Sequence, residues 1–131
     1  MDHKWVKNMK EEVILKLVQI QTQFRFMHWQ TTFDAKHKAY GMVYESLDGF
    51  IDDFVEAMMG KYGRPEFTES FSIMFQDLES LSLQHFIDGV CEFLMSLTEQ
   101  LDSKVDTDLL NLRDEMLRII NKLKYLLTLK Y

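Results

Sequence analysis

Long stretches without proline or glycine constrain this chain more than any other feature. Its 131 residues include one proline, Pro65, and only five glycines. Segments without these two residue types favour long helices over many short strands. Hydrophobic residues make up 47% of the chain. That share excludes a disordered protein and suffices for one modest core, so we expect residues 1–131 to form a single domain.

Apolar residues recur three and four positions apart along most of the chain, which is the pattern of one face of an α-helix. Four helices are predicted from these stripes, over about Asn8–Thr31, Ala35–Tyr62, Ser82–Asp102 and Thr107–Leu129. Asn8 and Asp34 are the expected N-caps of the first two helices, because their short side chains accept hydrogen bonds from free N–H groups.

The connection between the second and third helices is long. Apolar residues recur in it at helical spacing, at Phe71, Met74, Phe75 and Leu78. A short helix is therefore predicted in this crossover, although the alternation of Phe71, Ile73 and Phe75 also permits a strand. Short turns elsewhere and one long crossover describe an all-α, four-helix bundle.

Charge and composition exclude several classes of protein. The net charge of −6 argues against binding to DNA phosphates and favours the binding of cations instead. No run of eighteen apolar residues exists, so no membrane span is expected. The segment Met1–Trp5 lacks the apolar core of a signal peptide, so a cytoplasmic location is expected. Cys91 is the single cysteine and is interpreted as a buried, inert thiol.

The stretch from His28 to Glu56 is the candidate functional region. Two histidines, His28 and His37, precede four acids that fall on one stripe of a helix: Glu45, Asp48, Asp52 and Glu56. This stripe borders the apolar face of the second helix, where an acid needs a partner, whereas a solvated helix face is the alternative. Histidines and carboxylates from facing helices hold iron, manganese or zinc in helical bundles.

These residues resemble the Dps group, the miniferritins of the ferritin-like superfamily. The sequence Phe-Met-His-Trp at 26–29 is similar to the Asn-Phe-His-Trp that ends the first helix of that family. The family has a second histidine followed by tyrosine, aspartate and glutamate seven, fifteen and nineteen residues later. His37 precedes Tyr44, Asp52 and Glu56 at these spacings.

The resemblance implies an intersubunit ferroxidase site. His28 and His37 would come from one subunit, Asp52 and Glu56 from its two-fold mate, and Trp29 would lie beside the iron. The implied metal is iron, which zinc or manganese can replace. The implied assembly is a homo-oligomer, at least a dimer and in the family usually a hollow dodecamer. Its implied activity is oxidation of Fe(II), for iron storage or protection from peroxide.

The chain departs from the family at Gly41, where the family has an acid four residues after the second histidine. Asp48, on the same stripe, is the residue we consider as a replacement, and both Glu45 and Asp48 are otherwise interpreted as surface or interface charges. The alternative function is a structural or interaction bundle that keeps the fold and the oligomer but has lost ferroxidase activity.

Overall fold

The computed structural model of the protein describes residues 9–129, which form four long helices. These are α1 (Met9–Gln30), α2 (Asp34–Tyr62), α3 (Ser80–Gln100) and α4 (Thr107–Leu126). No β-strand occurs between residues 9 and 129. The all-α, four-helix architecture is therefore confirmed. No helix in this part of the chain has the length and apolar character needed to cross a membrane.

The predicted N-cap of α2 is wrong. Phe33 occupies the cap position, and the Phe33 carbonyl accepts the first helical hydrogen bond, from His37 N at 2.9 Å. Asp34 is the first residue of the helix, and its carboxylate forms an ion pair with Lys38 at 2.9 Å. An acid in the first turn still interacts favourably with the helix dipole. Asn8, the other predicted cap, lies outside the described residues.

The helices run up, down, down and up. Lys10, at the start of α1, donates to the carbonyl of Tyr62 at the end of α2 (2.7 Å), so α1 and α2 are antiparallel. The connection 63–79 returns to the other end of the bundle, where Gln23 of α1 contacts Gln76. The helix α3 therefore runs parallel to α2, and α4 returns beside both.

One hydrophobic core fills the bundle. Each helix contributes buried residues at spacings of three and four, including Phe24, Phe54, Leu94 and Met116. The rings of Phe24 and Phe86, 5.3 Å apart, join α1 to α3. Full burial of such a side chain stabilises the fold by about 1.5–3 kcal/mol. This core holds the helix ends that carry the candidate site.

The predicted short helix in the crossover is wrong, and so is the strand alternative. Residues 63–79, here called the strap, have no regular secondary structure. Seventeen residues in a helix would span only about 26 Å, whereas the strap must return along helices roughly 30 Å long. Extended chain provides that length, at about 3.3 Å per residue.

Side chains of α1 replace the missing backbone hydrogen bonds of the strap. Glu11 Oε2 accepts from the N–H of Glu66 at 2.8 Å. The amide of Gln23 donates to the carbonyl of Gln76 at 2.8 Å and accepts from its N–H at 3.1 Å. Of the apolar residues that suggested a helix, Phe71, Met74 and Phe75 remain exposed, and the Phe75 ring contacts Phe26 with centroids 5.3 Å apart.

Candidate metal centre

His28 and His37 face each other where α1 ends and α2 begins. Their rings are stacked, with centroids 3.9 Å apart and planes inclined by 17°. His28 Nδ1 donates to the carbonyl oxygen of His37, and His37 Nδ1 donates to the carbonyl oxygen of His28, both at 2.7 Å. The structure thus brings together the two histidines of the predicted site that lie on one chain.

These hydrogen bonds determine which nitrogen of each ring is available. A carbonyl oxygen only accepts, so each Nδ1 carries a hydrogen. In a neutral imidazole with a hydrogen on Nδ1, the lone pair lies on Nε2. Histidines that bind metals commonly donate their other nitrogen to a backbone carbonyl, which fixes the ring. His28 and His37 therefore make the backbone hydrogen bonds that metal-binding histidines commonly make.

The short turn at residues 31–33 creates this arrangement. The carbonyl of His28 belongs to the last turn of α1, where carbonyls lack helical partners. His37 lies just inside α2 and satisfies that carbonyl through its side chain. A three-residue turn leaves the two helix ends close enough for the side chains to reach across.

An aromatic and cationic cluster lies next to the histidines. The Tyr44 ring meets His28 edge-on, with centroids 5.2 Å apart. The guanidinium of Arg25 lies 5.0 Å from the centroid of Tyr44 and 5.9 Å from that of Trp29. Trp29 itself is 66% exposed. The positive charge of Arg25 opposes a bound cation, so a metal here requires carboxylates nearby.

Gly41 lies directly against the His28 ring. A Cβ built on Gly41 would be 2.9 Å from both Cε1 and Nδ1 of His28. Carbon atoms in contact are normally about 3.5–4.0 Å apart, so a side chain here would displace the ring. The same Cβ position is 3.8 Å from Oε1 of Glu45. Gly41 therefore allows His28 to lie against α2.

The acids of the predicted stripe, Glu45, Asp48, Asp52 and Glu56, are all exposed in the single chain, so none of them needs a buried partner there. Asp48 accepts a hydrogen bond from Gln21 Nε2 at 2.8 Å. Asp52 and Glu56 form a cluster with Asp53, in which one oxygen from each lies within 4.8 Å of the others. Asp53 was not among the predicted ligands, although it lies three residues before Glu56 and therefore on a neighbouring position of the same helix.

The histidine pair and the acidic cluster are far apart within one chain. His37 and Asp52 are separated by fifteen residues of α2, or about 22 Å along the helix axis. Of the four predicted ligands, the structure joins His28 to His37 and leaves Asp52 and Glu56 at a distance. All four side chains can meet only if a second chain takes part.

A comparison with known proteins identifies the family of the chain. No curated protein and no solved structure matches it. One family model, described as a family of unknown function, DUF5856, matches residues 28–127. This match begins at His28, covers well over half of the 131 residues and includes His37, Gly41 and the acidic stripe. The chain therefore belongs to the DUF5856 family.

Proposed function

We propose that the protein is a Dps-like iron-binding protein that takes up and oxidises Fe(II) at a site between two subunits. The purpose would be iron storage or protection from peroxide. The observation that carries this proposal is the His28–His37 pair, whose Nδ1 atoms are both held by carbonyls. Preorganised Nε2 lone pairs are what a metal site needs from histidine.

The charge distribution of α1 and α2 supports a two-fold pairing of chains. Arg25 lies near the histidines, whereas Asp52, Asp53 and Glu56 lie toward the other end of α2. In a two-fold interface the same surface of both chains is in contact, and the two copies run in opposite directions. The acids of one chain would then approach the histidines and Arg25 of the other, so opposite charges would meet.

The ligand chemistry suits iron. Imidazole nitrogen binds Fe(II), and carboxylate oxygen stabilises the additional charge of Fe(III). Two Fe(II) ions would each give one electron to hydrogen peroxide, and with two protons the products would be two Fe(III) ions and two waters. The single long crossover of the bundle, which is typical of ferritin-like folds, also supports this function.

Mixing two inactive variants tests the intersubunit site. Light scattering gives the mass, and anaerobic titration with Fe(II) or Co(II) gives the number of metals bound. His28→Ala and Asp52→Asn are each expected to weaken binding at least about tenfold. A dimer of one His28→Ala chain and one Asp52→Asn chain retains one intact site. Random refolding of the mixture should therefore restore about a quarter of the sites.

Asp53→Asn is the matched control, because Asp53 lies in the acidic cluster but is not among the predicted ligands. It should bind metal as the unchanged protein does. A monomer would overturn the intersubunit site, since its ligands come from two chains. An oligomer that takes up no Fe(II) would instead support the alternative of a structural bundle without ferroxidase activity.

A further inference from the structure

We infer that Glu45 is the carboxylate that completes the His28–His37 pair, and that Gly41 lets the His28 ring approach the face of α2 that carries this carboxylate. The inference rests on the proposed metal-binding function and adds a third ligand from the same subunit. It differs from the interpretation of Glu45 as a surface or interface charge. It also replaces Asp48 as the residue that compensates for Gly41.

The geometry of α2 places Glu45 over Gly41. The two residues are one helical turn apart and share a face. Side chains in a helix lean toward its N-terminus, so that of Glu45 leans back over Gly41. Glu45 Oε1 is 3.8 Å from the Cβ position built on Gly41, and that position is 2.9 Å from His28 Nδ1. Cε1 of His28 is also 2.9 Å from that position, so the oxygen lies within 6.7 Å of Cε1, the ring carbon bonded to the free Nε2.

Glu45 is also freer to bind than Asp48. Its side chain is exposed, and no ion pair or hydrogen bond engages it between residues 9 and 129. Its carboxylate can therefore change rotamer without breaking a hydrogen bond or an ion pair. Asp48 lies almost one further turn away and already accepts a hydrogen bond from Gln21 Nε2 at 2.8 Å.

The charges around the pair favour a carboxylate in this position. Neutral imidazoles supply no negative charge to a bound cation. The positive guanidinium of Arg25 lies 5.0 Å from the centroid of the Tyr44 ring, and Tyr44 contacts His28. The carboxylate of Glu45 offsets that positive charge. Two imidazole nitrogens and one carboxylate oxygen suit divalent iron, cobalt or zinc, whereas Mg²⁺ prefers oxygen ligands alone. The ligand class is therefore a divalent transition metal.

The test is a titration with Co(II), followed by its visible absorption. Glu45→Gln keeps the shape of the side chain but removes its charge, and should raise the Kd for Co(II) about tenfold or more. Asp48→Asn is the matched control and should leave the Kd unchanged. Nitrogen-15 spectra of the metal-free proteins should show the same Nδ1-protonated histidines in the Glu45→Gln variant as in the unchanged protein.

Two results would overturn the inference, and one of them would also overturn the proposed function. If the unchanged protein binds Co(II) and Glu45→Gln binds it equally well, Glu45 is not a ligand, while the proposed function stands. If the unchanged protein binds neither Co(II) nor Fe(II), both the inference and the proposed function fail. Preserved histidine spectra with weakened binding would assign the loss to the missing carboxylate, as expected.

Discussion

Two glycines of α2 stand in opposite environments. A glycine inside a helix costs about 0.5–1 kcal/mol relative to alanine. At Gly49, an added Cβ would meet nothing within 4 Å, so no contact compensates for that cost. At Gly41 the glycine is buried, and the His28 ring fills the space where a Cβ would lie. The histidine pair therefore depends on a residue that has no side chain of its own.

Alanine at these two positions should have opposite effects. Gly49→Ala should raise the free energy of unfolding by about 0.5–1 kcal/mol, through helix propensity. Gly41→Ala should instead lower it by about 1 kcal/mol, because the new methyl displaces the His28 ring and breaks its hydrogen bond. Unfolding in urea measures both changes. Equal stabilisation by the two substitutions would show that the ring adapts without loss.

Among the elements, the strap 63–79 differs most from the helices in how it is held. Its hydrogen bonds to α1 lie near its two ends, at Glu66 and at Met74 and Gln76. Between them, Phe67 and Phe71 contact each other, with ring centroids 5.5 Å apart, and both remain exposed. An element with few buried contacts opens at lower free energy than the core helices.

Gln23 should control the local stability of the strap. Its side chain is 3% exposed and makes two hydrogen bonds to the backbone of Gln76. Gln23→Leu keeps the approximate shape and removes both bonds, which should lower the free energy of local opening by about 1–3 kcal/mol. Hydrogen exchange of the Gln76 amide measures this change.

Gln19→Leu is the control for this substitution, since Gln19 makes a single, longer bond to the carbonyl of Met74, at 3.4 Å. Its effect on exchange of the strap amides should be small. If both variants accelerated exchange equally, the contribution of Gln23 would come from general packing of α1 rather than from its two hydrogen bonds.

For the molecule as a whole, a polar network closes the end of the bundle opposite the histidines. The carboxylate of Asp106 is fully buried and accepts hydrogen bonds from the Tyr62 hydroxyl and from the N–H of Asp102, the latter at 2.9 Å. Burial, together with the hydrogen bond and charge of Asp106, raises the pKa of Tyr62 well above its ordinary value. This network ties α2 to the turn before α4, so the fold does not rest on the histidine pair alone.

The ion pair of Lys61 and Asp108 makes stability depend on pH. Lys61 Nζ lies 2.5 Å from Asp108 Oδ1, and this hydrogen bond lowers the pKa of Asp108 below its ordinary value of 3.8, although burial acts in the opposite direction. A carboxyl with a lowered pKa in the folded state stabilises the fold above its unfolded pKa. That contribution disappears as the pH falls through the folded value.

Asp108→Asn should therefore lower the free energy of unfolding at pH 7 but not at about pH 2. The difference at pH 7 should stay below about 1 kcal/mol, because the Asp108 side chain is 52% exposed and water screens the pair. Thermal unfolding across this pH range provides the measurement. A difference that stayed constant with pH would contradict the assignment to the ionised pair.

The sequence by itself determined the helices and the histidine pair. The positions of the four long helices follow from apolar residues three and four apart, and their predicted bounds lie within three residues of those observed, whereas the same spacing predicted a crossover helix that does not form. His28 and His37 are likewise only nine residues apart and are joined by a short turn. Local spacing was enough to select both as candidate ligands.

Only the tertiary structure decided the course of the strap and the surroundings of the histidines. The strap is extended because it must span the bundle, and its partners, such as Gln23 for Gln76, are 53 residues away in sequence. The contact of Gly41 with the His28 ring likewise depends on how α1 meets α2. No local sequence pattern predicts a contact between residues that are far apart along the chain. These contacts could therefore be identified only from the tertiary structure.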